Sequence, residues 1–233
     1  MKILAVDTSA KAASAAVTEN GKIISECFTN TGLTHSQTLM PMVKTVLDGA
    51  MLGVGDIDVF AVNNGPGSFT GVRIGVAAVK GMAQPIERPC CEVSTLESLA
   101  YNLIGTDCIA VSCMDARCAQ VYTATFSCGE TVERLSEDEA VAIKDMEEKL
   151  LSFEKPIVFV GDGAELCYNY YKDRLSCSLA SEILRYQRAS STAQVAYLKS
   201  ERGETVTAEK LMPMYLRLPQ AERELKKKKG EST

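Results

Sequence analysis

One histidine, His35, stands among 233 residues, so every mechanism that needs two imidazoles is excluded. Positive charge is in the minority. Against 30 Asp and Glu there are 25 Lys and Arg, a net charge of −5 with a pI near 5.1, which argues against a primary nucleic-acid-binding surface. No apolar run approaches the roughly 18 residues that a membrane span requires. The opening Met1-Lys2-Ile3-Leu4-Ala5-Val6-Asp7 meets an acidic residue too early for a secretory leader, so the expected compartment is the cytosol. Nine cysteines occur without a single Cys-x-x-Cys: Cys90 and Cys91 are adjacent, and Cys108, Cys113 and Cys118 are spaced five apart. On an extended segment that spacing puts alternate members on opposite faces. Structural zinc draws on closely spaced pairs, so these read as reduced, mostly buried thiols, and no metal ligand set is assigned.

What is present is ordinary globular composition, 46% apolar and 24% charged, enough for one large domain or two small lobes. The most distinctive stretch is Gly65-Pro66-Gly67-Ser68-Phe69-Thr70-Gly71-Val72-Arg73-Ile74-Gly75, an apolar strand running into a glycine-punctuated helix start. Its glycines and proline build a turn that bulky residues could not follow. A helix N-terminus after such a turn can hold an anion. This is no P-loop, however, because no Gly-Lys-Ser/Thr ends it and no lysine lies in the turn. From Phe69 to Ala83 the only charges are Arg73 and Lys80, on one narrow face, while Gly71, Gly75 and Ala78 form a small-residue stripe suited to close helix approach. A helix apolar nearly all round needs cover on more than one side, and its own sheet supplies one. A partner chain or an identical subunit is expected on the other, over a face comprising Leu39, Met40, Val43, Phe69, Val72, Arg73, Val76, Val79 and Lys80.

Periodicity predicts strands over 3–6, 13–18 and 22–28 with a hairpin at Asn20-Gly21. A helix capped by Thr34 follows, with Leu39, Met42, Val43, Val46 and Leu47 on one stripe. A strand over 58–63, the glycine-rich turn with its helix to about Ala83, and a helix over 95–104 complete the first plan. The plan then restarts. Strands over 108–114, 119–127 and 131–135 repeat the first three, and Asp115 precedes Gly129 by the same fourteen residues that separate Asp7 from Gly21. Val59-Phe60-Ala61-Val62 is echoed by Ile157-Val158-Phe159-Val160, each leading into a glycine turn. Two similar α/β lobes are expected, over residues 1–106 and 107–218, followed by a flexible basic tail over 219–233 ending in Lys226-Lys227-Lys228-Lys229. Weak contact of that tail with RNA phosphate is its functional reading.

Asp7 and Asp115 end equivalent strands, and in a duplicated fold their turns face each other across the cleft between lobes. Beside Thr8 and Ser9 they could hold Mg²⁺ and polyphosphate, since hard cations favour carboxylate oxygen; equally, each could cap its own turn. This layout resembles the actin-like ATPase fold (the ASKHA group, ribonuclease H-like) shared with sugar kinases and Hsp70. Phosphate hairpins of that fold carry glycine after the aspartate region, whereas Asp7 is followed by Thr8-Ser9-Ala10-Lys11 and Asp115 by Ala116-Arg117-Cys118. Asp7, Thr8, Ser9, Asp115, Gly161 and Gly163 are therefore candidate nucleotide contacts for weak Mg-nucleotide binding, with no cofactor required. His35-Ser36 reads as a helix start.

The whole set, Ile3 to Ser9, His35-Ser36, the glycine block, Asp115-Ala116-Arg117 with Val121-Tyr122, and Pro213 with Tyr215-Leu216-Arg217, resembles the TsaB (YeaZ) family of bacterial tRNA threonylcarbamoyladenosine (t6A) synthesis. The resemblance implies a non-catalytic partner of TsaD. In that system TsaD moves threonylcarbamoyl from its adenylate to N6 of adenosine 37, TsaE joins as an ATPase, and tRNA is met through the complex. TsaD-type proteins hold metal with a histidine pair, which His35 alone cannot copy. The older family label of peptidase also lacks support, with no His-Glu-x-x-His in the chain. A stand-alone Mg-ATP-dependent ATPase or phosphotransferase is the competing expectation.

Overall fold

The computed structural model describes residues 1–217, and the basic tail lies outside them. The first half of the chain forms β1 (Lys2–Asp7), β2 (Ala13–Glu19), β3 (Lys22–Thr29), α1 (His35–Ala50), β4 (Val59–Gly65), α2 (Phe69–Ala83), β5 (Cys90–Ser94) and α3 (Thr95–Tyr101). The second forms β6 (Cys108–Asp115), β7 (Gln120–Cys128), β8 (Val132–Arg134), β9 (Glu139–Ala142), α4 (Glu147–Leu151), β10 (Ile157–Val160), α5 (Ala164–Tyr171), β11 (Cys177–Leu179), α6 (Glu182–Arg185) and α7 (Ala189–Glu201). Asn20 and Gly21 turn the first hairpin with φ of 50° and 78°, the left-handed pair that a two-residue loop needs. Thr34 precedes α1 as expected, but its side chain makes no capping bond. Its carbonyl takes the Gln37 and Thr38 N–H groups instead.

One sheet runs β3-β2-β1-β4-β5 and the other, read from its opposite end, β8-β7-β6-β10-β11. In each, the first three strands are antiparallel and the last two join parallel to the first. The repeat predicted from the fourteen-residue spacing is thus a repeat of topology. Atomic detail follows it: Ser9 N–H donates to Asp7 Oδ1 at 3.1 Å, and Arg117 N–H to Asp115 Oδ1 at 2.7 Å. Gly65 ends β4 and Gly161 directly follows the equivalent β10, at φ of +133° and +112°.

The two halves interleave in space. Leu96, Leu99 and Ala100 of α3 pack with Ala110, Ala124 and Phe126 of the second sheet. Ala189, Ala193 and Ala196 of α7 return the exchange by packing on Ile3, Ala5 and Ala61 of the first. Beyond α7 the chain crosses back, Val206 pairing with Cys90, and residues 207–217 run as a strap over α2.

Candidate functional site

The glycine block works by close approach. Extra side-chain carbon at Gly67 would collide with the Ser9 carbonyl, at Gly71 with the Thr8 carbonyl, and at Gly75 would lie 2.7 Å from Thr8 Oγ1. Glycine at these points lets the start of α2 settle directly onto the turn after β1. Ser68 N–H donates to Ser9 O at 2.6 Å, Thr8 Oγ1 donates to Gly71 O at 2.7 Å, and Ser68 Oγ caps α2 by accepting from Gly71 N–H at 3.3 Å. Asp7, Thr8 and Ser9 are all 0% exposed as a result. Asp7 takes hydrogen bonds from Ser9 Oγ (3.0 Å) and from Asn63 Nδ2, and burial pushes its carboxyl above 3.8 against the lowering effect of those donors. Asn63 Oδ1 in turn accepts from Thr192, whose hydroxyl meets that of Ser98 at 3.0 Å. The Asp7 side chain is therefore committed to an internal network and does not face Asp115 across open space.

His35 has a positioning role: its Nε2 lies 2.7 Å from the Ala10 carbonyl, fixing the far side of the same turn.

Between the sheets lies a cavity of about 560 Å³. Ser9, Lys11, Gly67–Thr70, Asp115, Arg117, Tyr122, Asp162 and the strap residues Met214–Arg217 line it. Asp115 is exposed there, while Asp162 is half-buried and takes a 3.2 Å hydrogen bond from Gln187 Nε2. Burial, reinforced by the charges of Asp115 and Asp7, pushes the Asp162 carboxyl up to about 6. The β6–β7 tip at the cavity rim holds Arg117, Cys118 and Ala119 consecutively in left-handed backbone, φ 64°, 56° and 54°. Side-chain-bearing residues adopt that conformation at a cost, and such strain concentrates at functional sites. Gly161 and Gly163 contribute close packing: a Cβ on Gly161 would strike the Cys113 carbonyl, and one on Gly163 would come within 2.8 Å of Asp115 N. Among the described residues no three His, Cys, Asp or Glu side chains converge as a metal site.

The nine residues expected at a partner interface separate into three groups. Leu39, Val43, Val72, Val76 and Val79 are buried in the chain's own core, against Leu4, Val6, Phe60 and Val62, and are not available to a partner. Phe69, Arg73 and Lys80 hold the strap. Phe69 stacks on Tyr215 at 4.7 Å, Arg73 lies 3.9 Å over the Phe69 ring and donates to Tyr215 OH at 2.8 Å, and Lys80 Nζ donates to the carbonyls of Glu209 and Leu211 at 3.1 Å. Met40, 48% exposed, is left facing outward. The small-residue stripe is corrected likewise: Gly71 and Gly75 serve the β1 turn, and a different small pair, Ala77 and Gly81, faces outward, with nothing within 4 Å of a Cβ at Gly81.

Residues 29–225 match the protein family described as TsaD, tRNA N6-adenosine threonylcarbamoyltransferase. The tRNA threonylcarbamoyladenosine biosynthesis protein TsaB of Bacillus subtilis is 33% identical over 95% of this chain and 96% of its own. The chain belongs to the TsaD domain family and, within it, to TsaB (YeaZ). TsaB of Escherichia coli is 32% identical over 93% of this chain and 95% of its own length. The solved YeaZ of Pseudomonas aeruginosa superposes with a TM-score of 0.77 at 27% identity, covering 92% of this chain and 99% of that one. Component A of (R)-2-hydroxyglutaryl-CoA dehydratase from Acidaminococcus fermentans superposes at a TM-score of 0.53 with 10% identity, over 86% of this chain and 99% of that one, which extends the likeness in fold alone. The fold is the duplicated actin-like ATPase architecture that the sequence implies.

Two features of this TsaB member escape sequence reasoning. Asp162 reads as the middle of a Gly-Asp-Gly turn, and only the folded chain brings it beside Asp115 and Asp7. The strap over 207–217 lacks helical or strand periodicity, although its anchors, Lys80, Arg73 and Asn64 (whose Nδ2 donates to Met212 O at 3.1 Å), are spread through the first lobe. A Cβ at Gly65 would run into the Met214 carbonyl, so the glycine block also seats the strap.

Proposed function

We propose that this protein is the non-catalytic partner of a TsaD-type transferase in tRNA N6-threonylcarbamoyladenosine formation, docking through the outer surfaces of α1 and α2. TsaD carries the transfer of threonylcarbamoyl to adenosine 37, TsaE acts with the pair, and tRNA is reached through the assembly. The observation that carries this reading is the outward face of the two helices. Met40 and Pro41 on α1 and Ala77 and Gly81 on α2 are exposed, small or apolar, and lie outside the core that the same helices build inward. Small residues on an exposed helix face allow another helix to approach closely. Family membership supports the same role. The Asp7 turn also supports it: its hydrogen bonds are spent on Ser9, Asn63 and the start of α2, leaving no phosphate cradle there.

The experiment contrasts neighbouring positions. Ala77→Glu places a charge on the exposed face, whereas a charge at Val76 would enter the core and test folding alone. Sedimentation of the Ala77→Glu variant with TsaD is expected to show association weakened at least tenfold, about 1.4 kcal/mol, with circular dichroism and melting unchanged. Unchanged affinity with the fold intact would refute the interface. The same variant sedimented alone tests self-association through this face.

A further inference from the structure

Cys108 is the first residue of β6 and Cys128 the last of β7, and the antiparallel register places them directly opposite each other. Opposed residues of an antiparallel pair share one face of the sheet. Their Cα separations, about 4.5 or 5.5 Å according to ladder position, both lie in the range that a disulfide spans. The two thiols are reduced and buried among Ala100, Leu103 and Phe126. Thr106 Oγ1 lies 3.2 Å from Cys108 Sγ, and Lys155, paired with Asp107 at 2.8 Å, stands close by. The Cys128 thiol beside it, against burial and with help from Thr106, holds Cys108 below the ordinary thiol value, while Cys128, whose Sγ donates to the Ala100 carbonyl at 3.6 Å, is pushed the other way. One sulfur is thus disposed to ionise while its neighbour keeps its proton, the asymmetry that thiol oxidation exploits.

We infer that Cys108 and Cys128 form a peroxide-sensitive dithiol, a modification site at the open end of the β6–β7 hairpin. The Cys108 thiolate attacks one oxygen of hydrogen peroxide, the O–O bond breaks, and Cys108 becomes a sulfenic acid as hydroxide leaves and takes up a proton. The Cys128 sulfur then displaces the hydroxyl from Cys108, the S–S bond forms, and the Cys128 proton departs with that hydroxyl as water. Two thiols lose two electrons and two protons, and peroxide is reduced to two waters. Access needs only local opening. The pair ends both strands beside the exposed segment 104–107, where Gly105 N–H bonds Gly129 O and Cys128 also pairs with Val132 of β8, so local opening of this corner admits a molecule as small as peroxide without unfolding the sheet. Position also separates this pair from Cys113 and Cys167, which meet in the interior between β6 and α5, and from Cys118, which is exposed but alone at the hairpin tip.

The test uses the full chain carrying Cys118→Ser, reduced, desalted and treated with equimolar hydrogen peroxide, then read by intact mass and peptide mapping. The expected result is loss of two hydrogens, a Cys108–Cys128 cross-linked peptide, reversal by dithiothreitol, and a higher melting midpoint for the oxidised form. Adding Cys128→Ser should arrest the reaction at a sulfenic acid on Cys108 that dimedone traps. Absence of the cross-linked peptide in the Cys118→Ser chain would overturn the inference, as would its replacement by a Cys113–Cys167 cross-link. Mapping in that folded chain decides the matter whether or not the Cys128 variant folds.

Discussion

Asp162→Asn removes a charge that the fold holds at a cost. The carboxyl lines the interlobe cavity, half-buried, and its pKa rises from 3.8 to about 6 because burial disfavours the charged form and Asp115 and Asp7 add repulsion. In the unfolded chain the same group titrates near 3.8. The folded protein therefore binds this proton more tightly, and the resulting stability is present in full below about 3.8 and is lost as pH rises through about 6. Roughly two pH units at 1.36 kcal/mol each give about 3 kcal/mol, which solvent in the open cavity reduces to about 2. Asparagine keeps the shape and the Oδ1 that accepts from Gln187 Nε2, without the charge. Urea titrations of both proteins should show the variant more stable by about 2 kcal/mol at pH 8, by less at pH 5, and equal to wild type near pH 3.5. A difference independent of pH, or a variant less stable at pH 8, would refute the assignment of Asp162 as a destabilising carboxylate.

Two glycine-to-alanine changes on the same helix should have opposite signs. Gly71→Ala drives a methyl into the Thr8 carbonyl and is expected to cost about 2–3 kcal/mol, whereas Gly81→Ala meets open space and should stabilise by about 0.5–1 kcal/mol, both read from thermal melts. Calorimetric titration with Mg-ATP is expected to give no saturable heat at millimolar nucleotide, because the turn after β1 is buried beneath α2. Binding that disappears in Asp115→Ala would reverse that expectation and restore the nucleotide-dependent reading.

The sequence made the repeat legible because its signals are local: two strand-end aspartates, two turn glycines fourteen residues on, two apolar strands entering glycine turns. It also grouped Leu39, Met42, Val43, Val46 and Leu47 on one stripe of α1, although Leu39 and Val43, expected to meet a partner, face the chain's own core with the rest. On α2 the same method fails for a physical reason. A helix apolar nearly all round offers no contrast between faces, so periodicity cannot say whether Val72 and Val76 or Ile74 and Ala77 meet the sheet. What decides is Gly71 and Gly75, whose missing side chains must face the Thr8 carbonyl and the Thr8 hydroxyl, and the Thr8–Gly71 contact joins residues 63 apart in the chain. The opposed cysteines are hidden in the same manner, for only the strand register brings Cys108 to Cys128.

The glycine block ties two properties of this TsaB member to one cause. By lacking Cβ atoms, Gly67, Gly71 and Gly75 let α2 descend onto Thr8 and Ser9: Ser68 N–H occupies the Ser9 carbonyl, the Thr8 hydroxyl donates to the Gly71 carbonyl, and the Ser9 N–H is spent on Asp7. The same descent buries Val72, Val76 and Val79 and leaves Ala77 and Gly81 facing outward on α2, as Met40 does on α1. Closure of the turn after β1 and exposure of Ala77 and Gly81 on α2 are then two sides of one packing event. A chain that reopened the turn by lifting α2 would also shift the outer helix face that we propose for docking.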